Sequence, residues 1–200
     1  MKAQLAAVSQ KASVVFAACC ASRLLAPYET CQEEIAPLGG NLLRPAIDRL
    51  WNFVEVGEQA EWKALAIQLV AAIPDEDINL TFGHCVIDDA LAATAYAIQA
   101  ASGLGVQNAV YSGRRLYETV DRFAGLSFNI TEFTDVVERN VLSHPVVQME
   151  LERQCIDVDV LVRSTDEMLP DLARELHERS TAASALPVDD LRRLAQFAAI

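Results

Sequence analysis

Helical periodicity runs through nearly all of the 200 residues, and the points where it must stop are set by seven prolines and a few glycines. No stretch alternates apolar and polar residues with the β-branched enrichment that a strand requires. The pattern predicts an all-α protein, a single-domain bundle of about eight or nine helices over residues 1–200. Residues 184–200 form a terminal helix that either packs loosely or docks on a partner.

The breakers divide the chain in order. A first helix is predicted over Ala3 to Ala26, ending at Pro27, whose ring nitrogen has no hydrogen to donate. A short second helix from Tyr28 ends at Pro37-Leu38-Gly39-Gly40. The third opens at Asn41 as cap, tolerates Pro45 in its first turn, and ends at Gly57, a natural C-terminal cap. Leu43, Ile47, Leu50, Trp51 and Val54 form its apolar stripe. A fourth helix covers Glu58 to Ala72 before Pro74 and the acidic turn Asp75-Glu76-Asp77. The fifth spans Gly83 to Ser102, and the sixth Gln107 to Ala124, with Gly113 in its middle costing roughly 1 kcal/mol against alanine. The seventh, Thr131 to Leu142, takes Thr131 or Asn129 as cap. Pro145 starts the longest helix, with Val147, Leu151, Cys155, Val158, Val162, Leu169, Leu172 and Leu176 on one face and a kink or break at Pro170. A last amphipathic segment runs from Pro187 to Ile200.

The first helix is apolar around much of its circumference through Val14, Val15, Phe16, Ala17, Ala18, Leu24 and Leu25. No membrane span is expected, because Arg23, Lys63 and Gln68 interrupt the apolar stretches well short of the roughly 20 residues needed. Lys2, the run Val14 to Ala18 and Cys19 imitate a lipoprotein signal only poorly, since Gln10 and Lys11 cut into the apolar core. The five cysteines include no C-x-x-C pair and are expected to be free thiols in a reducing cytoplasm. A net charge of −12 repels nucleic acid and anionic membranes, so neither is an expected partner.

The most chemical-looking stretch is Gly83-His84-Cys85-Val86-Ile87-Asp88-Asp89. His84 and Asp88 are four apart and project from one side of a helix, which makes His84, Asp88 and Asp89 weak candidates for a metal site. Catalytic zinc usually takes three protein ligands, and the H-E-x-x-H and paired Glu-x-x-His signatures are absent. The simpler expectation places Asp88 and Asp89 in a first helical turn, paired with Arg114 or Arg115. His144, before Pro145, and His177, amid Arg174, Glu175, Glu178 and Arg179, read as ordinary surface histidines. There is no G-x-S-x-G elbow and no phosphate loop, since Gly103-Leu104-Gly105 lacks a preceding strand and a following lysine. Tyr111, Arg114, Arg115 and Tyr117 read as core aromatics beside salt-bridging arginines rather than as a nucleotide stack. No cofactor is expected.

The run Val14-Val15-Phe16-Ala17-Ala18-Cys19 with Arg23 and Tyr28 is one part of a larger pattern. Ile47-Asp48 and Leu50-Trp51 follow, then Ala72-Ile73-Pro74 leading to Gly83 and Asp89-Ala90, then Ala109-Val110, Thr119-Val120 and Pro145-Val146-Val147. Together they resemble the YjaG-like bacterial family catalogued as domain of unknown function 416. The resemblance implies an all-helical cytosolic protein with no established activity, in which Gly83, Asp89 and Ala90 are recurring positions and His84 and Asp88 are not. Ser180 to Ala185 and the tail to Ile200 lie outside it. The expected role is therefore a non-enzymatic helical interaction or regulatory protein, with a metal protein or enzyme at the fifth helix as the alternative. The stripe Leu191, Leu194, Ala195, Ala198 and Ile200 tips the oligomeric expectation to a homodimer.

Overall fold

A computed structural model describes residues 2–35, 42–73, 81–128 and 134–197. The fold is all-α. The described helices are α1 (Lys2–Leu5), α2 (Gln10–Ile35), α3 (Leu43–Val56), α4 (Trp62–Ala71) and α5 (Phe82–Ala101), followed by α6 (Val106–Leu126), α7 (Asp135–Leu142), α8 (Pro145–Arg163), α9 (Leu169–Ala182) and α10 (Val188–Leu194).

The chain is built around α2. A helix apolar on every side cannot face water on any, and the run from Ala12 to Leu25 is buried without interruption. Helices α3, α5, α6, α8, α9 and α10 surround it. The alanine faces of α2 and α5, with Ala17, Ala18, Ala21, Ala93 and Ala97 all buried, let these two helices lie side by side. Trp51 of α3 plugs the space beside α2, and its indole N–H donates to the buried Ser22 hydroxyl at 2.9 Å. The predicted α3 stripe is buried as expected, and Gly57 ends that helix in the left-handed region at φ 79°.

Two expectations about the breakers change, and one about a helix face. Pro27 does not end the first helix but sits inside α2. The carbonyl that a residue-27 amide would have bonded is that of Arg23, and it accepts instead from the Ala185 N–H at 2.9 Å, so the helix continues without an orphaned acceptor. The predicted longest helix is two: α8 ends at Arg163, and Pro170 lies in the first turn of α9, where its missing amide costs nothing. The predicted face of α8 is also wrong in part. Val147 and Val158 are buried, but Cys155 and Val162 face outward and Leu151 is half-buried. The inward positions are Glu150, Gln154 and Asp157.

Helix α7 begins at Asp135 and takes Thr134 as its cap, the hydroxyl accepting from the Val137 N–H at 3.3 Å. The expected caps Asn41, Asn129 and Thr131, the breaker at 37–40, and Pro74 with the acidic turn at 75–77 lie outside the described residues. Among the described residues no helix is long and apolar enough to cross a membrane. Leu191 and Ala195 of the C-terminal stripe are buried against the chain's own body, Leu194 is half-buried, and Ala198 and Ile200 are outside the described residues.

Candidate functional site

The side chains that organise the molecule's polar interior start with Arg23 on α2. Its guanidinium is 2% exposed and donates from Nη1 to Asp157 at 2.8 Å and from Nη2 to Glu150 at 3.0 Å, both on α8. Asp157 also accepts from Arg179 of α9. Gln154 bridges from Glu150, at 3.1 Å, to the Gly113 carbonyl of α6 at 3.2 Å. Gly113 makes this approach possible, since a Cβ there would lie 3.0 Å from the Phe16 ring and 3.2 Å from Gln154 Oε1. One buried guanidinium thus fixes α2, α8 and α9 together, with Gln154 bringing in α6. Cys19 and Cys20 lie beside it, and burial pushes both thiols well above their ordinary range, so they are poor nucleophiles.

A second buried charge sits between α5 and α6. Asp89 is 1% exposed and accepts from Arg122 at 2.7 Å, Arg115 at 3.2 Å and the Thr119 hydroxyl at 3.0 Å. The pairing with Arg115 is as expected, but the helix starts at Phe82, so Asp89 is two turns in rather than in the first turn. Arg114 pairs instead with Glu118 at 2.7 Å. Burial pushes the Asp89 carboxyl up, and Arg122 pulls it back.

Asp89 holds two partly exposed arginines at the surface, each at the edge of a recess. Arg115 lines a hollow of about 210 Å³ with Tyr96, Tyr111, Arg114 and Glu118. Arg122 lines a cleft of about 660 Å³ between α6 and α7. The wall of this cleft is apolar through Val137, Val141, Leu142 and the Tyr117 ring, and its rim carries the carboxylates Glu118, Asp121, Asp135 and Glu138 against the single guanidinium of Arg122. Burial, the Asp121 carboxylate and Glu138 push the Tyr117 phenol up to about 12, so it stays protonated and donates to Asp121 at 3.0 Å.

The residues singled out in the sequence are dispersed. His84 is the third residue of α5, where its Nδ1 accepts the Thr81 N–H at 3.2 Å in a capping box. Asp88 is half-buried on α5, while Asp89 turns inward to its arginines. Among the described residues, no three His, Cys, Asp or Glu side chains converge in a way that could hold a metal ion. Tyr111 and Tyr117 are not core aromatics, being exposed and half-buried. His177 is not simply solvated: it stacks on Trp51 with ring centroids 4.5 Å apart and bonds Glu55 through Nδ1 at 2.7 Å.

The sequence of residues 1–184 matches the profile of a family described as "Protein of unknown function (DUF416)". The chain belongs to the DUF416 family. A crystal structure of a DUF416 family protein from Shewanella baltica superimposes with a TM-score of 0.78 at 18% identity, covering 92% of this chain and 96% of that one. That likeness shows the DUF416 fold. No curated protein matches the chain significantly.

Of the positions that carried the family resemblance, Arg23 and Asp89 are the two buried charges of this DUF416 domain, and Gly83 lies against the C-terminal segment. By hydropathy alone Arg23 is an interruption of an apolar run. The signal that points to its partners is the i, i+4, i+7 spacing of Glu150, Gln154 and Asp157, a polar stripe on a helix otherwise rich in valine and leucine.

Proposed function

We propose that this DUF416 protein is a non-enzymatic helical interaction protein, cytoplasmic and homodimeric, that receives a basic amphipathic segment of a partner polypeptide in the cleft between α6 and α7. The observation that carries this reading is the composition of the cleft: an apolar wall beneath a rim of four carboxylates and one arginine. An amphipathic helix laid in such a groove buries its apolar face on Val137, Val141 and Leu142 and sets its lysines or arginines against Glu118, Asp121, Asp135 and Glu138. The net charge of −12 draws a cationic segment toward the surface and speeds its encounter. Two features weigh against chemistry at the buried sites. The carboxylates of Glu150, Asp157 and Asp89 are occupied by guanidinium groups, and the thiols beside Arg23 are held protonated by burial. The free state of all five cysteines supports a reducing compartment.

The test is a titration of a fluorescently labelled, lysine-rich amphipathic helical peptide, followed by anisotropy. Binding is expected to weaken by roughly tenfold, about 1.4 kcal/mol, in Leu142→Asp and in Glu138→Lys, and to weaken with added salt. Both side chains are exposed on α7, so neither change disturbs the core. Unchanged affinity in both variants, or no binding to the unaltered protein, would contradict the reading.

A further inference from the structure

The hollow between α5 and α6 is lined by a guanidinium that the protein holds from behind. Arg115 donates from Nη1 to Asp89 at 3.2 Å, while the other Asp89 oxygen accepts from Arg122 and Thr119. A guanidinium backed by a buried carboxylate is in place before a ligand arrives, so little side-chain freedom is lost on binding. Arg115 is still 34% exposed, and its Nε and Nη2 have no acceptor among the described residues. Beside it, Arg114 gives Nε to Glu118 at 2.7 Å, which leaves both of its terminal nitrogens in the same condition.

Two tyrosines complete the lining. Tyr111 precedes the arginines by three and four positions, which puts all three on one side of α6, and Tyr96 reaches the hollow from α5. The two rings pack with centroids 5.2 Å apart and planes 47° to one another. Tyr111 is not spent on the core, being 38% exposed, and neither tyrosine hydroxyl has a partner among the described residues. Size and charge then select the ligand. At about 210 Å³ the hollow is smaller than the roughly 300–1,000 Å³ of pockets that enclose drug-sized molecules, so it suits one ring with its acid group and is too small for a whole nucleotide. Two guanidinium groups against the one carboxylate of Glu118 leave a single positive charge in excess, which matches a monoanion. The planar fork of arginine is the geometric counterpart of a carboxylate.

We propose that this hollow binds a small aromatic carboxylate, its ring against Tyr96 and Tyr111 and its carboxylate on Arg114 and Arg115. The hollow shares Glu118 with the cleft between α6 and α7, but a ligand here requires no partner there.

The test is a titration of the isotope-labelled full chain with benzoate, followed by amide and arginine side-chain chemical shifts. Saturable shifts are expected on Tyr96 and on residues 111–118, at the roughly millimolar affinity of so small a ligand. Benzamide, which keeps the ring and loses the charge, and cyclohexanecarboxylate, which keeps the charge and loses the aromatic face, are each expected to bind about tenfold more weakly or not at all. Arg114→Gln and Tyr111→Leu should each weaken benzoate by a similar factor while leaving the rest of the spectrum unchanged, since both side chains are exposed. Shifts that do not saturate or that centre on another face, equal response to benzamide, or variants that bind as the unaltered protein does would each overturn the proposal.

Discussion

At the residue scale the molecule turns on two buried charges whose surroundings differ. Arg23 faces Glu150 and Asp157, which are almost wholly enclosed, so removing it leaves carboxylates that have little access to water. Arg23→Met is therefore expected to destabilise the fold by about 3–5 kcal/mol in urea denaturation, the range for breaking a buried pair from one side. Lysine is a poor replacement, since one ammonium cannot match the two-pronged guanidinium contact. A loss under 1 kcal/mol would show that the cluster is hydrated or rearranges. Burial pushes the Glu150 carboxyl up, against the pull of Arg23. A carboxyl with a raised pKa holds its proton more tightly in the folded state, so its contribution to stability is present at low pH and is lost as pH rises through the raised value. Relative to Glu150→Gln, the unaltered protein should thus gain thermal stability as pH falls from about 7 toward the ordinary carboxylate range. A Tm difference that stays flat, or moves the other way, would contradict this sign.

Among the elements, α2 and α8 show how far the sequence could be read. The all-helical class, the α3 stripe and the Gly57 cap follow from local periodicity and backbone preference, and these are properties of short windows. The passage of α2 through Pro27 depends on Ala185, a residue 158 positions away (185 − 27), and no local rule anticipates a distant donor. The face of α8 differs from its hydropathy for the same reason: hydropathy places Cys155 and Val162 inside, but Arg23 on another helix draws Glu150 and Asp157 inward, and the Gly113 carbonyl of α6 does the same for Gln154. The candidate cleft was equally illegible, because it is assembled from two separate helices, α6 and α7, and none of its residue types is unusual. Gly113 read as a weak point of α6, yet it is where α6 meets Phe16 and Gln154. Gly113→Ala gains helix propensity but crowds a ring that has nowhere to go, and a net loss of about 1 kcal/mol is expected in chemical denaturation. Any gain in stability would show that Phe16 yields. Gly83→Ala should displace Ala195 and speed hydrogen exchange at the amides of Phe82 and Ala185, which the loss of a helix turn elsewhere would not do.

The whole molecule is an acidic bundle wrapped on one apolar helix, with its internal charges paired and the cleft between α6 and α7 rimmed by carboxylates. Arg23 and Asp89 tie α2, α5, α6, α8 and α9 together through buried ion pairs, and in the proposed reading that frame presents α6 and α7 as the receiving surface. The α6 side of the cleft is anchored from behind by Asp89 through Arg122 and Thr119. The most direct measurement of this account is amide chemical-shift mapping of the isotope-labelled full chain during titration with the lysine-rich amphipathic peptide. The account predicts perturbations concentrated on residues 117–125 of α6 and 134–142 of α7, reduced by salt and absent with an acidic peptide of the same hydropathy. Perturbations centred on another face, or none at peptide excess, would contradict it.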